Sequence, residues 1–569
     1  QLYSGGYGLS LITDLVKYQN MCEGTLFMNR FTPEKMEIFR SLLFEGILQL
    51  SYRHTMDFGT RGRNISRDPN VNYSTISKSD LGYMIINDPE YAPTYQKWLD
   101  YIDNNASSPK AGVNKYFWKS DIMSEHGENY YLSAKIISER SYGTEALNGE
   151  NIKAYNLPLG ATNIMTTGNE YDRIFPVWDW TRIPGTTAVQ NQDYTKLDGY
   201  IIGTNEFGGG VSNGTDGIVA YKHDYKNLKA KKSYFFIDNM MFCIGNGVNF
   251  AGDEQVVTSV NQAYLSGDVT INNGSDRTLS AQSSETFDNL KWVHHDNVGY
   301  IFLDDKSVHV QNIQQSGSWY DINTSLGSTS VINKDIFSVW FDHGTAPENE
   351  TYEYIVVPDQ TLDQFKKTVS DHEFVVAQND GVAQALRKGN KYGIVFYEPG
   401  NVIMDNGLEI ASDKQAIVYI EVDDKEYDIS VADPIHKESK ITLTINKELK
   451  THTYSANSAL EFVLPTGDYV GSTLTQSYTE GDPVGIGEEE QVESAYVYQS
   501  GNEVKVNFTA GIYNQLEILH MNGKVTCKKR ISTDQQDMSI SSVTYVPGVY
   551  FVKLSGENNI KVLKFIIVR

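Results

Sequence analysis

The chain has 569 residues, 40% hydrophobic and 21% charged, with 48 Lys+Arg against 72 Asp+Glu. That composition supports a large core and excludes a disordered chain, and the length predicts three or four domains of about 150 residues each. The formal charge of −24 argues against a general nucleic-acid binder, and no apolar run reaches the roughly 18 residues of a membrane span.

Residues 1 to about 105 read as helical and are nearly charge-balanced, with residues 1–100 at net −1. Gln1 stands where Met would open a chain, and no leader pattern follows, which predicts a processed product or a fragment. The first stretch, QLYSGGYG, sets Tyr3 and Tyr7 among three glycines; it permits close approach of backbone to a ligand and equally suits a turn entering a helix. Helical patterns follow near 8–20, 75–87 and 90–103. The clearest helix starts at Thr32-Pro33-Glu34, an N-cap, a first-turn proline and an acid at the positive end of the dipole. Met36, Phe39, Leu43, Ile47 and Leu50 then form one apolar stripe. Arg61, Arg63 and Arg67 fall within seven residues and concentrate donors suited to carboxylate or sulfate, or simply form a solvated basic loop. These helices make about half of an all-helical domain, and their apolar faces need partners.

After residue 110 the pattern turns to short Tyr-, Phe-, Val- and Ile-rich runs separated by Asn, Asp and Gly. Tyr130–Ile137, Ser233–Cys243, Val298–Leu303, Asp335–Phe341 and Tyr352–Val357 predict large antiparallel sheets. Two stretches here carry polar groups suited to a site. One is Glu139–Asn148, with Glu145 and Asn148; the other is Tyr171–Thr187, where Trp178 and Trp180 flank Asp179 and serve as core aromatics or a sugar platform. Thr451–Val504 holds nine acids and no Lys or Arg, with a linker expected at Gly481–Glu490. Residues 494–569, net +4, read as a small β-sandwich whose last two strands meet at a Gly-Glu-Asn-Asn turn; residues 101–493 carry the remaining −27.

Phosphate-loop, nucleophile-elbow and zinc-protease motifs are absent, and adjacent His294 and His295 point to opposite faces of a strand. Cys22, Cys243 and Cys527 are too dispersed for a disulfide scaffold or paired zinc ligands and read as buried thiols. Metal catalysis has no anchor; the many carboxylates leave room for a structural Ca²⁺ whose ligands the sequence does not single out.

Three motifs in order, Tyr3–Gly8 (YSGGYG), Arg61–Arg67 (RGRNISR) and Phe175–Thr187 (FPVWDWTRIPGTT), resemble polysaccharide lyase family 8, the hyaluronate, chondroitin and xanthan lyases. The Asp342-His343-Gly344 turn before Tyr352–Pro358 is similar to the family's later sheet, so the resemblance covers residues 1 to about 465. It implies an α+β multidomain fold: the end of an incomplete (α/α) toroid in residues 1–108, a central antiparallel β-supersandwich in 109–370, a smaller β-sandwich in 371–480 and a separate β domain in 494–569. That last segment resembles the C-terminal sorting domain of the type IX secretion pathway of Bacteroidetes, which implies a secreted, periplasmic or cell-surface bacterial protein.

The implied activity is β-elimination on a uronate polysaccharide, chondroitin sulfate or hyaluronan, giving 4,5-unsaturated uronate without a catalytic cofactor. Carried over from the family, Tyr7 is base and then acid, Arg63 is the catalytic arginine, and Glu145 orients Arg63 or the tyrosine. Arg67 and Asn148 bind substrate, with Tyr3 and Arg61 beside them. The family's Asn, His and aromatic patch precede the tyrosine motif, so the chain is expected to be the C-terminal part of a larger lyase whose helical remainder is a separate piece or continuous with it. Xanthan lyase and a non-catalytic surface glycan binder are the alternatives. A locally positive cleft is expected where helices meet sheets.

Overall fold

The computed structural model describes residues 3–67, 75–450, 457–481, 495–500, 503–520, 524–542, 545, 548–556 and 560–567. Gln1 of the first motif, linker positions 482–490 and turn positions 557–559 lie outside the described residues.

The helical part contains Leu9–Cys22, Pro33–Arg40, Lys78–Asn87 and Ala92–Ile102. Leu9–Cys22 buries Leu9, Ile12 and Val16, the three- and four-residue rhythm of one face. Pro33 sits in the first turn of its helix after an extended Thr32, but the Thr32 hydroxyl caps no backbone amide. The stripe Met36, Phe39, Leu43, Ile47 and Leu50 is buried throughout. It does not ride on one helix: after Arg40 the chain passes through a wider π-type turn, Ser41–Ile47, and a tight Leu48–Leu50 turn. Gly46, a poor helix former, falls in that wider turn.

A four-stranded sheet (Val113–Phe117, Ile122–His126, Tyr131–Lys135, Ala161–Met165) joins the helical part to a large antiparallel sandwich. The sandwich has a nine-stranded sheet, centred on Leu228–Ile237, Met240–Phe250 and Glu350–Val357, and a five-stranded sheet centred on Ile332–Thr345. The run Ser233–Cys243 is not one strand but the tip of a hairpin. Asp238 and Asn239 both take positive φ, the two-residue turn that matches strand twist. Asp342-His343-Gly344 is likewise not a turn; it continues the strand Ile332–Thr345 past an irregularity in its pairing with Gln255–Tyr264. One continuous core runs from Leu9 in the first helix to Val356 in the nine-stranded sheet.

Residues 374–450 and 457–480 form a second sandwich around a ten-stranded sheet, and Phe235, Phe242 and Ile355 pack against its Leu386, Val395 and Tyr419. The C-terminal unit pairs a three-stranded with a four-stranded sheet over Val504, Val506, Leu516, Ile518, Val552 and Leu554.

Candidate active site

The Gly-rich segment forms a single π-type turn, Ser4–Gly8, that runs into the helix Leu9–Cys22. Its glycines are steric requirements. A Cβ on Gly6 would lie 2.1 Å from the Tyr3 ring, and one on Gly5 would lie 2.8 Å from the Arg61 stem. Tyr3 and Tyr7 therefore meet edge to face with ring centres 4.9 Å apart. The Tyr3 hydroxyl donates to Asn64 Oδ1 at 3.0 Å and accepts from the Asn64 amide at 3.2 Å. Burial pushes its pKa up to about 12, so it stays a neutral prop for Tyr7. Tyr7 itself is 65% exposed and accepts a hydrogen bond from Arg63 Nη2 at 3.1 Å.

Arg63 stands on the tight turn Gly62–Ser66, which is fastened on both sides. The Ser66 hydroxyl donates to the Arg63 carbonyl at 2.9 Å and accepts from the Asn151 amide at 3.0 Å, while Asn323 Nδ2 donates to the Ser66 carbonyl at 3.3 Å. Deeper, the Asp57 carboxylate is buried and accepts from Gly59 N (2.7 Å), Tyr131 Oη (2.9 Å), Asn163 Nδ2 (2.8 Å) and the Ser133 hydroxyl. One acid thus ties the arginine segment to two strands of the four-stranded sheet.

Two carboxylates face these arginines. Glu145 Oε1 lies 3.4 Å from Arg63 Nη1, a charge contact that leaves this buried oxygen without a hydrogen-bond donor among the described residues. Glu150, only 4% exposed at its side chain, reaches Arg63 Nε at 3.1 Å and accepts from Arg67 Nε and Nη2 at 2.8 and 3.0 Å. The Glu150 hydrogen bonds raise the pKa of Arg67 further. Glu150 escaped the sequence reading, although the signal was present. Asn148-Gly149, at φ 58° and 75°, is a two-residue hairpin turn that pairs Leu147 with Glu150 and so puts Glu150 on the face of Glu145. The expected positive cleft is consequently more balanced than an arginine count suggests.

The remaining sequence candidates divide. Asn148 is exposed on this turn, its carbonyl accepting from the Ser325 hydroxyl. Arg61 stacks over Phe175 at 5.5 Å, and burial pushes its pKa down to about 10. The Trp178–Trp180 pair is no sugar platform. Both indoles are at most 5% exposed; Trp178 meets Phe58, Tyr171 and Phe175, and Asp179 caps Thr181 and pairs with Arg182. Half-exposed Tyr142 and Tyr200, 5.8 Å apart on the strand pair that carries Glu145, are accessible aromatics in addition to Tyr7. Among the described residues no cluster of three or more His, Cys, Asp or Glu converges as a metal site, so the calcium expectation gains no ligands. No helix of the described residues is long and apolar enough to cross a membrane.

Comparison with known proteins accounts for nearly the whole chain. Residues 1–91 match polysaccharide lyase family 8, N-terminal alpha-helical domain; 112–369 its super-sandwich domain; and 375–442 its C-terminal beta-sandwich domain. Residues 500–569 match a secretion system C-terminal sorting domain, which marks an exported protein. Chondroitinase-AC of Pedobacter heparinus is 32% identical over 489 residues, covering 83% of this chain and 67% of that protein. Hyaluronate lyase of Thermasporomyces composti is 27% identical, covering 60% of this chain and 44% of that protein. Among solved structures, a chondroitinase AC lyase studied as oligosaccharide complexes superposes with a TM-score of 0.76 at 29% identity, over 84% of this chain and 70% of its own. A Paenibacillus xanthan lyase, at 19% identity, shares the fold with a TM-score of 0.75, over 99% of this chain and 65% of its own. On this evidence the chain belongs to polysaccharide lyase family 8.

Proposed function

We propose that this chain supplies part of the catalytic centre of a glycosaminoglycan lyase that cleaves chondroitin sulfate or hyaluronan by β-elimination. The observation that carries the reading is the Arg63–Tyr7 hydrogen bond, a guanidinium donating at 3.1 Å to an exposed phenol. A phenol that is exposed to the cleft and held by a guanidinium is positioned to act as general base toward the weakly acidic C5 proton of a uronate. Tyr7 takes that proton, the electron pair forms the C4–C5 double bond, and the C4–O bond to the leaving sugar breaks. The new phenol then returns its proton to the leaving oxygen. Arg63 and Arg67 bind the anionic groups, Glu145 and Glu150 hold the two guanidiniums, and Asn148 and Tyr3 complete the wall.

These steps use side chains alone and route nothing through a metal or cofactor. The Pedobacter relative is longer than this chain, so the activity is proposed for the complete protein, including whatever helical segment completes the cleft. The sorting domain fits release to the periplasm, the cell surface or the medium. The test is the ultraviolet absorbance of unsaturated uronate with chondroitin sulfate, hyaluronan and xanthan as substrates. Tyr7→Phe in the complete protein is expected to lower the rate at least a hundredfold, within the usual contribution of about 10²–10⁴ for general acid–base catalysis. An intact rate would remove Tyr7 from the mechanism, and polymer binding with no new absorbance from the parent protein would favour the glycan-binder alternative.

A further inference from the structure

An open cavity of about 470 Å³ is lined by residues other than those of the arginine–tyrosine cluster. One wall is the loop after the strand Ala161–Met165; the other is the turn Trp319–Asp321 with the start of the strand Ile332–Thr345. The loop is built in advance of any ligand. Glu170 Oε1 accepts from the amides of Thr166 and Thr167 at 2.8 and 2.7 Å and from their hydroxyls at 3.2 and 2.9 Å, and Oε2 accepts from the Gly168 amide at 2.8 Å. Thr55 and Tyr52 of the helical part donate to the Gly168 and Thr166 carbonyls, fixing the loop from the other side.

Held this way, the loop keeps Arg173 at φ +62°, a left-handed conformation costly for a non-glycine residue and concentrated at ligand sites. Its Nε lies 3.5 Å from Asp172 Oδ2, and the Arg173 side chain is exposed. Lining the same cavity, exposed Lys334 stands 5.8 Å from the centre of the Tyr264 ring, and the buried Trp319 completes the wall. The charge of Asp172 also acts on Arg61, whose stem packs on Gly5 of the tyrosine turn.

A cavity lined by an aromatic ring and two cations is complementary to a sugar ring that carries a carboxylate or sulfate. We propose that this cavity is a second polysaccharide-binding site, which takes an anionic sugar residue away from the cleaved bond with Arg173 and Lys334 on its charge and Tyr264 against its ring. The ligand class rests on the lyase reading above.

The 569-residue chain is titrated with hyaluronan, chondroitin sulfate and neutral dextran of matched size, at low and high salt. It is compared with Arg173→Ala/Lys334→Ala and with Lys440→Ala, a cation paired with Glu461 in the second sandwich. The double variant is expected to bind the anionic polymers about tenfold more weakly at low salt, a difference that fades at high salt, while Lys440→Ala binds as the parent does. Tyr264→Ala is expected to weaken binding and Tyr264→Phe to preserve it, an arm that survives if the double variant misfolds. Dependence on the two cations with hyaluronan assigns the carboxylate; dependence with chondroitin sulfate alone assigns the sulfate. Unchanged affinity in both the double variant and Tyr264→Ala, equal binding of dextran, or no binding by the parent overturns the proposal. Cavity-dependent binding by a complete protein that forms no unsaturated uronate would sink the lyase reading and leave the cavity standing. Cleavage with unaltered binding by the cavity variants would do the reverse.

Discussion

Glu150 serves two arginines with one carboxylate, and the consequence of losing it differs from losing either partner. Glu150→Ala leaves two neighbouring guanidiniums without their shared counter-charge, one of them only 14% exposed at its side chain. Breaking a buried pair in this way costs about 3–5 kcal/mol, and because Arg67 is partly in water the lower end is expected here. Urea denaturation of parent and variant checks it; a change below about 0.5 kcal/mol, typical of surface sites, would mean that water already screens the pair. Glu150→Gln keeps the volume and one acceptor and is expected to fall between. Glu145 differs in kind, because its Oε1 sits beside Arg63 with no donor among the described residues. A substrate hydroxyl would satisfy it, so Glu145→Gln should cost polysaccharide affinity more than stability, as read by titration and melting of one preparation.

At the scale of elements, the arginine turn depends on strands distant in sequence through Asp57. Replacing Asp57 with Ala strands the buried donors Tyr131, Ser133 and Asn163 at a penalty of about 1–3 kcal/mol for each unsatisfied group. The expected signature is faster hydrogen exchange in both Gly62–Ser66 and Tyr131–Lys135; protection lost in only one would show that they are not coupled through this acid. The same dependence explains what the sequence could and could not reveal. The tyrosine turn and the four helices were legible because their signals are local: glycine placement, a first-turn proline and apolar periodicity. Glu150 was not read because its partners lie more than eighty residues away and only an Asn-Gly turn aligns it. The hairpin at Asp238-Asn239 was missed because the apolar run continues across the turn. Trp178 and Trp180 are core aromatics, one of the two readings their pattern allowed, and packing, which the sequence does not show, decides which way two indoles around an acid point.

For the molecule as a whole, several histidines are locked in as neutral groups. His126, His223 and His295 are at most 3% exposed, and burial pushes their pKa values down to about 4, 3 and 3. Unfolding returns them to a reference near 6.5, so the unfolded chain binds more protons below that pH. Their contribution is fully present above about pH 6.5 and is lost as pH falls toward the folded values, at up to roughly 1.4 kcal/mol per pH unit for each histidine. Melting temperature should therefore drop steeply between pH 6 and 4.5, and a flat profile there would contradict the burial of these rings. The net charge of −24 says less than its placement: residues 101–493 carry the acidic excess, while Arg63 and Arg67 in the candidate site each meet a neighbouring carboxylate.

The core that runs unbroken from the first helix into the nine-stranded sheet has a mechanical consequence. A cleft between two separately packed bodies can work as a jaw, with a hinge between them. Here the tyrosine turn, the arginine turn and the Glu145–Glu150 hairpin are all mounted on one stiff block, since close-packed interiors transmit strain instead of yielding to it. This side of the cleft behaves as an anvil. In the proposed lyase, a polymer passing Tyr7 would be accommodated by rotation of exposed side chains such as Tyr7, Tyr142 and Tyr200, while the spacing of the charged groups stays set by the backbone.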